Sequence, residues 1–103
     1  MVYLAGVVDV DDAGQPVTGP FEASARAVLD RLREGVEAAG GQLADVVTMT
    51  VYITDARFGN DFARVRAEYF EEDRYPASAL VTCTALARPE LRVEIIATAV
   101  VDD

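Results

Sequence analysis

Two rhythms of apolar and polar positions run along the chain, and the switches between them mark the elements. Val2 to Val10 is apolar and β-branched, which predicts a strand with Gly6 inside it. Asp11-Asp12-Ala13-Gly14-Gln15-Pro16 has the composition of a turn. Gly19-Pro20 suits a helix start, with Pro at the first helical position. From 20 to 39 the apolar residues Phe21, Ala25, Val28, Leu29, Leu32 and Val36 recur at helical spacing, and Gly40-Gly41 stops the pattern. Val46 to Thr54 then alternates: Val47, Met49, Val51 and Ile53 share one face, and Val46, Thr48, Thr50 and Tyr52 the other. Asp55 to Asn60 reads as a loop, and Asp61 to Glu72 as a second helix with Phe62, Val65 and Tyr69 on its stripe. Tyr75-Pro76 breaks the chain. Ser78 to Leu86 and Leu91 to Val101 are the last two strands, joined through Ala87-Arg88-Pro89-Glu90 as a hairpin. The order β(turn)αβαββ is α+β: one sheet with two helices on one face, in a single domain over 1–103.

Two helices cover only one face of such a sheet. Val47, Met49, Val51, Ile53, Ala79, Val81, Cys83, Ala85, Val93, Ile95, Ala97 and Ala99 are assigned to the helix side. The opposite face then carries Tyr3, Thr48, Thr50, Tyr52, Ser78, Leu80, Thr82, Thr84, Glu94, Ile96, Thr98 and Val100. A solvated sheet face would hold more Lys, Glu and Arg. Thr and Tyr mixed with Leu, Ile and Val suit a subunit interface, so a homo-oligomer is expected.

Composition narrows the chemistry. The 103 residues carry eighteen Asp/Glu and nine Arg, for a formal charge of -9, with no Lys, no His and one Cys. Without His there is no Ser-His-Asp or Cys-His nucleophile pair. Without Lys there is no Schiff base or phosphate-loop lysine. A structural zinc site and a disulfide framework are excluded, and a single Cys fits the reducing cytoplasm. No Asp/Glu run has calcium-loop spacing, so no metal cage is expected. Scattered Arg among twice as many acids argues against nucleic acid as a partner. No apolar run has membrane-spanning length, and no signal-peptide pattern follows Met1.

Glu94 is the leading candidate for chemistry. It lies mid-strand between Val93 and Ile95, on the expected interface face. A carboxylate there must be paired, hydrogen-bonded or neutralised. Its structural alternative is a Glu satisfied by an Arg of a neighbouring chain. Arg88 and Arg92 flank it in sequence and could grip a substrate carboxylate, or serve in ordinary surface pairs. Gly6 marks a bulge or a close approach by a ligand. Cys83 reads as a small core hydrophobe.

Taken together these segments resemble the Rid (YjgF, endoribonuclease L-PSP) family over nearly the whole chain. The carrying stretches are Val2-Tyr3-Leu4-Ala5-Gly6, Val36-Glu37-Ala38-Ala39-Gly40-Gly41 with Leu43-Ala44-Asp45-Val46-Val47, and Val51-Tyr52-Ile53-Thr54-Asp55. Ala67-Glu68-Tyr69-Phe70, Tyr75-Pro76-Ala77, and Leu86-Ala87-Arg88-Pro89-Glu90-Leu91 leading into Val93-Glu94-Ile95 complete the pattern. The resemblance implies a chorismate-mutase-like fold with one mixed sheet, a homotrimer with helices outside, and small-metabolite clefts between subunits. It implies hydrolysis of enamines or imines to 2-oxo acids and ammonia without a cofactor, a Glu acting on water and an Arg gripping the substrate carboxylate.

Position by position, Glu94 matches the family's catalytic Glu, and Gly6 its pocket glycine. Ser78, followed by Ala79-Leu80, stands where the family pattern has its substrate Arg after Pro-Ala. Ala5 stands at the small serine-like position, and the Gly-Pro-Tyr-Ser motif that leads the family pattern is not in the sequence. The cleft implied for this chain therefore combines Glu94 with Ser78, Gly6, Leu80 and Arg88. Two functions follow: an imine/enamine deaminase working through Glu94 and water on an altered substrate, or a non-catalytic metabolite-binding member that lacks the clamp.

Overall fold

The computed structural model describes residues 1–102. Its elements are β1 (Val2–Val8), α1 (Phe21–Ala38), a 3-10 turn (Leu43–Asp45), β2 (Val46–Ile53), α2 (Phe58–Arg66), β3 (Ala77–Thr82) and β4 (Val93–Ala99). The helical stripe expected for α1 is the buried one: Phe21, Ala25, Val28, Leu29, Leu32 and Val36 are all inside. The helix begins at Phe21, one residue later than expected, with Pro20 at the N-cap position rather than inside the first turn. At its other end Gly40 takes a φ of +90°, and the amides of Gly40 and Gly41 donate back to the carbonyls of Glu37 and Val36. An L side chain rarely adopts that conformation, which is why glycine ends the helix.

The sheet has the order β1-β4-β2-β3. β4 runs antiparallel to both β1 and β2, and β3 runs parallel to β2 at the edge. Helix α1 lies across β1 and β4, with α2 beside it. Met49, Val51, Ile53, Val93, Ile95, Ala97 and Ala99 meet the helices and form the core with the α1 stripe, Phe62, Val65 and Phe70. Phe21 of α1 and Phe58 of α2 stack with ring centroids 4.2 Å apart, pinning the two helices together. Among the described residues no helix is long and apolar enough to cross a membrane.

Several expectations are corrected. The stretch 87–90 is not a hairpin turn: β3 and β4 lie on opposite sides of β2, so the chain from Cys83 to Arg92 crosses over that strand. The parity of β3 is reversed. Ser78, Leu80 and Thr82 pair with Met49, Val51 and Ile53, so they share the helix side, whereas Ala79 and Val81 pair with Thr50 and Tyr52 on the open side. A Cβ built on Gly59 of α2 would sit 3.2 Å from Leu80 Cδ2, which agrees with that orientation. All six β3 residues are exposed in the protomer, so burial could not have betrayed the error in the alternation.

Val47 is also out of place. A bulge between Val46 and Thr48 turns Val46 into the core and leaves Val47 44% exposed. Cys83 lies beyond the end of β3, half-buried and outside the core. Helix α2 starts at Phe58, inside the expected loop, and the chain after Arg66 continues as turns through Phe70.

Candidate functional site

Glu94 sits in β4, an interior strand of the sheet, with Val8 of β1 opposite on one side and Tyr52 of β2 on the other. Cross-strand partners place their Cβ atoms about 4.5–5.5 Å apart, so Val8 and Tyr52 are the lateral neighbours of Glu94 on this face. Glu94 is half-buried. Next along the sheet, β1 bulges between Leu4 and Val7, and Gly6 in that bulge has a φ of +71°. Beyond its two chain neighbours, no described atom lies within 4 Å of where a Gly6 Cβ would be, so the glycine serves the backbone turn and leaves open space before it.

The rest of this face is as uncovered as the sequence suggested. Tyr3 is 76% exposed, and Ile96 and Val81 about 40%. Thr48, Thr50 and Thr98 lie between them. Glu94 is the one charged residue among the strand positions of this face. Among the described residues no ion pair involves it.

Of the other site candidates, Gly6 lies on the adjoining strand near Glu94, whereas Ser78 and Leu80 face the helix side within one protomer. Arg88 lies on the crossover between β3 and β4, exposed, with Nη1 donating to the Gly14 carbonyl at 3.1 Å. Arg92 is turned inward. Its Nε and Nη2 donate to Ser24 Oγ at 3.0 and 2.6 Å, Nη1 to the Gly19 carbonyl at 2.7 Å, and Nη2 to the Val17 carbonyl at 3.3 Å. Ser24 and Asp9 are fully buried. The Asp9 carboxylate accepts from the amides of Arg92 and Val93 at 3.2–3.4 Å, holding the start of β4 two residues before Glu94.

This Asp9–Arg92–Ser24 clasp was not read from the sequence. Its available signal was a lone acid, Asp9, inside the apolar run Val7-Val8-Asp9-Val10. A surface depression of about 220 Å³ lies on the helix side, lined by Gln42, Ala44, Tyr69, Phe70, Glu71 and Arg74, and holds none of the candidates. Among the described residues no group of three or more His, Cys, Asp or Glu is arranged for a metal ion.

Two helices on one face of a mixed sheet, with the other face bare, define the chorismate-mutase-like class of YjgF/L-PSP type. The family model described as Endoribonuclease L-PSP matches residues 1–101, and the chain belongs to that family, the Rid or YjgF family of the sequence reading. A RutC family protein of Pyrococcus horikoshii is 38% identical over 101 residues, covering 93% of this chain and 77% of the relative. The crystal structure of Rv2704 from Mycobacterium tuberculosis, a member of the YjgF/YER057c/UK114 family, superposes with a TM-score of 0.81 at 34% identity, over 96% of this chain and 77% of that one. E. coli TdcF, solved with bound serine, superposes with a TM-score of 0.88 at 27% identity, over 97% and 80% of the two chains.

Proposed function

We propose that the protein is a cytoplasmic homotrimer whose bare sheet faces pack on one another, and that the clefts between subunits bind a small metabolite. There Glu94 and a water hydrolyse an enamine or imine. The supporting observation is the half-buried Glu94 carboxylate, without an ion pair among the described residues, near the start of the interior strand β4 on a face whose other strand positions are uncharged. A Thr- and Tyr-rich face with exposed Tyr3, Val81 and Ile96 is what a second and third copy would cover. TdcF, a structural neighbour, holds the small amino acid serine, which fits a metabolite-sized cleft.

In the reaction, Glu94 takes a proton from water as the oxygen attacks the imine carbon. Glu94 hands that proton to nitrogen, giving a carbinolamine; the hydroxyl proton then follows to nitrogen through the same carboxylate, the carbon–nitrogen bond breaks, and a carbonyl compound and ammonia leave. Carboxylate and water suffice, which suits a chain without His or Lys. Gly6, Ser78 and Leu80 are carried as cleft residues, Ser78 and Leu80 at the sheet edge, and Arg88 at the cleft rim with its guanidinium turned onto the Gly14 carbonyl of its own protomer.

Glu94→Gln should lower ammonia release from imines generated in solution by at least about a hundredfold, within the range of general-base effects. Light scattering should still give a trimer mass. Unchanged turnover sinks the mechanism, and a monomeric wild type sinks the assembly. The binding-only reading rests on Ser78 standing where the family pattern has Arg. It predicts saturable metabolite binding with no ammonia released. Ribonuclease activity, which the family description suggests, is opposed by the charge of -9 and the absence of Lys.

A further inference from the structure

We propose that the cleft beside Glu94 selects a small organic cation, a primary ammonium or iminium compound without a free carboxylate, rather than an amino or imino acid. This rests on the intersubunit cleft proposed above and names its ligand class. Three observations carry it. First, Glu94 is the one charged residue among the strand positions of the open face, with Val8 and Tyr52 as its cross-strand neighbours and, among the described residues, no ion pair. An acidic group in a half-buried, otherwise uncharged setting attracts a cation and repels an anion more strongly than it would in bulk water.

Second, the guanidinium groups are committed elsewhere. Arg26, Arg31, Arg33, Arg57, Arg64 and Arg74 each pair with a carboxylate of the helices or loops. Arg66 lies over the Tyr75 ring, 4.9 Å from its centroid. Arg88 reaches back to the Gly14 carbonyl. Arg92, nearest to Glu94 in sequence, is the most firmly held, its fork closed on Ser24 Oγ and on the carbonyls of Gly19 and Val17. Third, Ser78 brings no charge, and within a protomer it lies on the helix side of the sheet. A carboxylate-bearing ligand would meet Glu94 with no guanidinium of the same protomer beside it to offset the repulsion. An iminium cation would meet its counter-ion, and the protonated C=N bond is the more electrophilic form for water attack.

The test is a matched pair of probes, serine and ethanolamine, which differ by one carboxylate. Binding of each to the intact protein is measured by calorimetry or ligand-observed NMR. The expected result is saturable ethanolamine binding at least about tenfold tighter than serine, as one uncompensated like charge at close range would give. Glu94→Gln should weaken ethanolamine about tenfold or more and narrow the gap to serine, with the oligomer mass unchanged. Serine binding as tightly as ethanolamine overturns the proposal. So does binding of neither probe by a trimeric protein, or an ethanolamine affinity indifferent to Glu94→Gln. Light scattering on the same samples separates the two levels. A monomer removes the cleft and the function reading with it, while a trimer that prefers serine keeps the cleft and overturns only the cation.

Discussion

Replacing Arg92 with Met tests whether the clasp at the start of β4 holds the fold. The methionine keeps much of the stem beside Phe21, whose ring centroid lies 6.0 Å from the guanidinium carbon, and removes only the fork. Three groups then lose their donor: Ser24 Oγ and the carbonyls of Gly19 and Val17. Hydrogen bonds to a charged group are worth about 1.5–3 kcal/mol each, so a simple sum reaches roughly 5–9 kcal/mol. That sum overshoots, because Arg92 is only half-buried and water can reach Gly19 once the fork is gone. Ser24 is fully buried, and its stranded hydroxyl alone costs about 1–3 kcal/mol. The expected net loss is about 3 kcal/mol, against roughly 5–15 kcal/mol for a whole domain. It should appear as a lower urea midpoint with unchanged slope, and as a fall in Tm of about 12–24 °C for a chain of this size. Both are read by circular dichroism at fixed protomer concentration, since assembly would make stability concentration-dependent. Arg92→Lys keeps the charge without the planar fork and should fall between the two. In a double-mutant cycle, Ser24→Ala and Arg92→Met should couple by about 1 kcal/mol or more. An Arg92→Met protein within about 0.5 kcal/mol of the parent would refute the reasoning, since that is the scale of an ordinary surface substitution.

Two further outcomes follow from single residues. Gly6→Ala should destabilise by about 1–2 kcal/mol in chemical denaturation, purely from the backbone, because the φ of +71° is disfavoured for alanine while the space before it is open. Burial and the Asp30 carboxylate, which accepts from the Tyr69 hydroxyl at 2.8 Å, push the Tyr69 phenol up to about 12. The neutral phenol is therefore the form the fold favours, so its contribution is full below pH 10 and is lost as pH rises through about 12. An ultraviolet titration of tyrosinate should show one late phenol that disappears in Tyr69→Phe.

Helix α1 was legible because it carries one unbroken apolar stripe, and burial of Phe21, Ala25, Val28, Leu29, Leu32 and Val36 follows from spacing alone, whereas α2 was placed only through Phe62 and Val65, its ends lying at Phe58 and Arg66 rather than at Asp61 and Glu72. β4 was legible for the same reason, with Val93, Ile95, Ala97 and Ala99 inward and Glu94 outward. Two things were hidden. A bulge adds a residue without leaving a signature in hydrophobicity: Val46 and Val47 are the same side chain in adjacent places, and only the pairing with β4 decides which is buried. The Asp9–Arg92–Ser24 clasp joins residues 83 and 68 positions apart, which no local pattern reports.

The reversed strand β3 matters most for function. Alternation says which residues share a face but not which face is inward, and by apolarity alone Ala79, Val81, Cys83 and Ala85 are the inward set. Parallel pairing of β3 with β2 instead places Ser78 and Leu80 on the helix side and brings Ala79 and Val81 onto the face of Glu94. That exchange changes the chemistry around the carboxylate. With serine among its neighbours, Glu94 would have a neutral donor able to share a ligand's carboxylate. With alanine and valine on the edge, and Val8 and Tyr52 beside it, the face presents one anion on an apolar and threonine-rich field. The preference proposed for a cation over a zwitterion thus depends on strand order as much as on the missing arginine. Ser78→Arg separates the two contributions. If the arginine, starting from the helix side at the sheet edge, confers serine binding, the side chain rounds the edge into the cleft and the lost clamp alone set the specificity. If serine still fails to bind while the trimer is intact, the facing of β3 keeps the guanidinium away from Glu94.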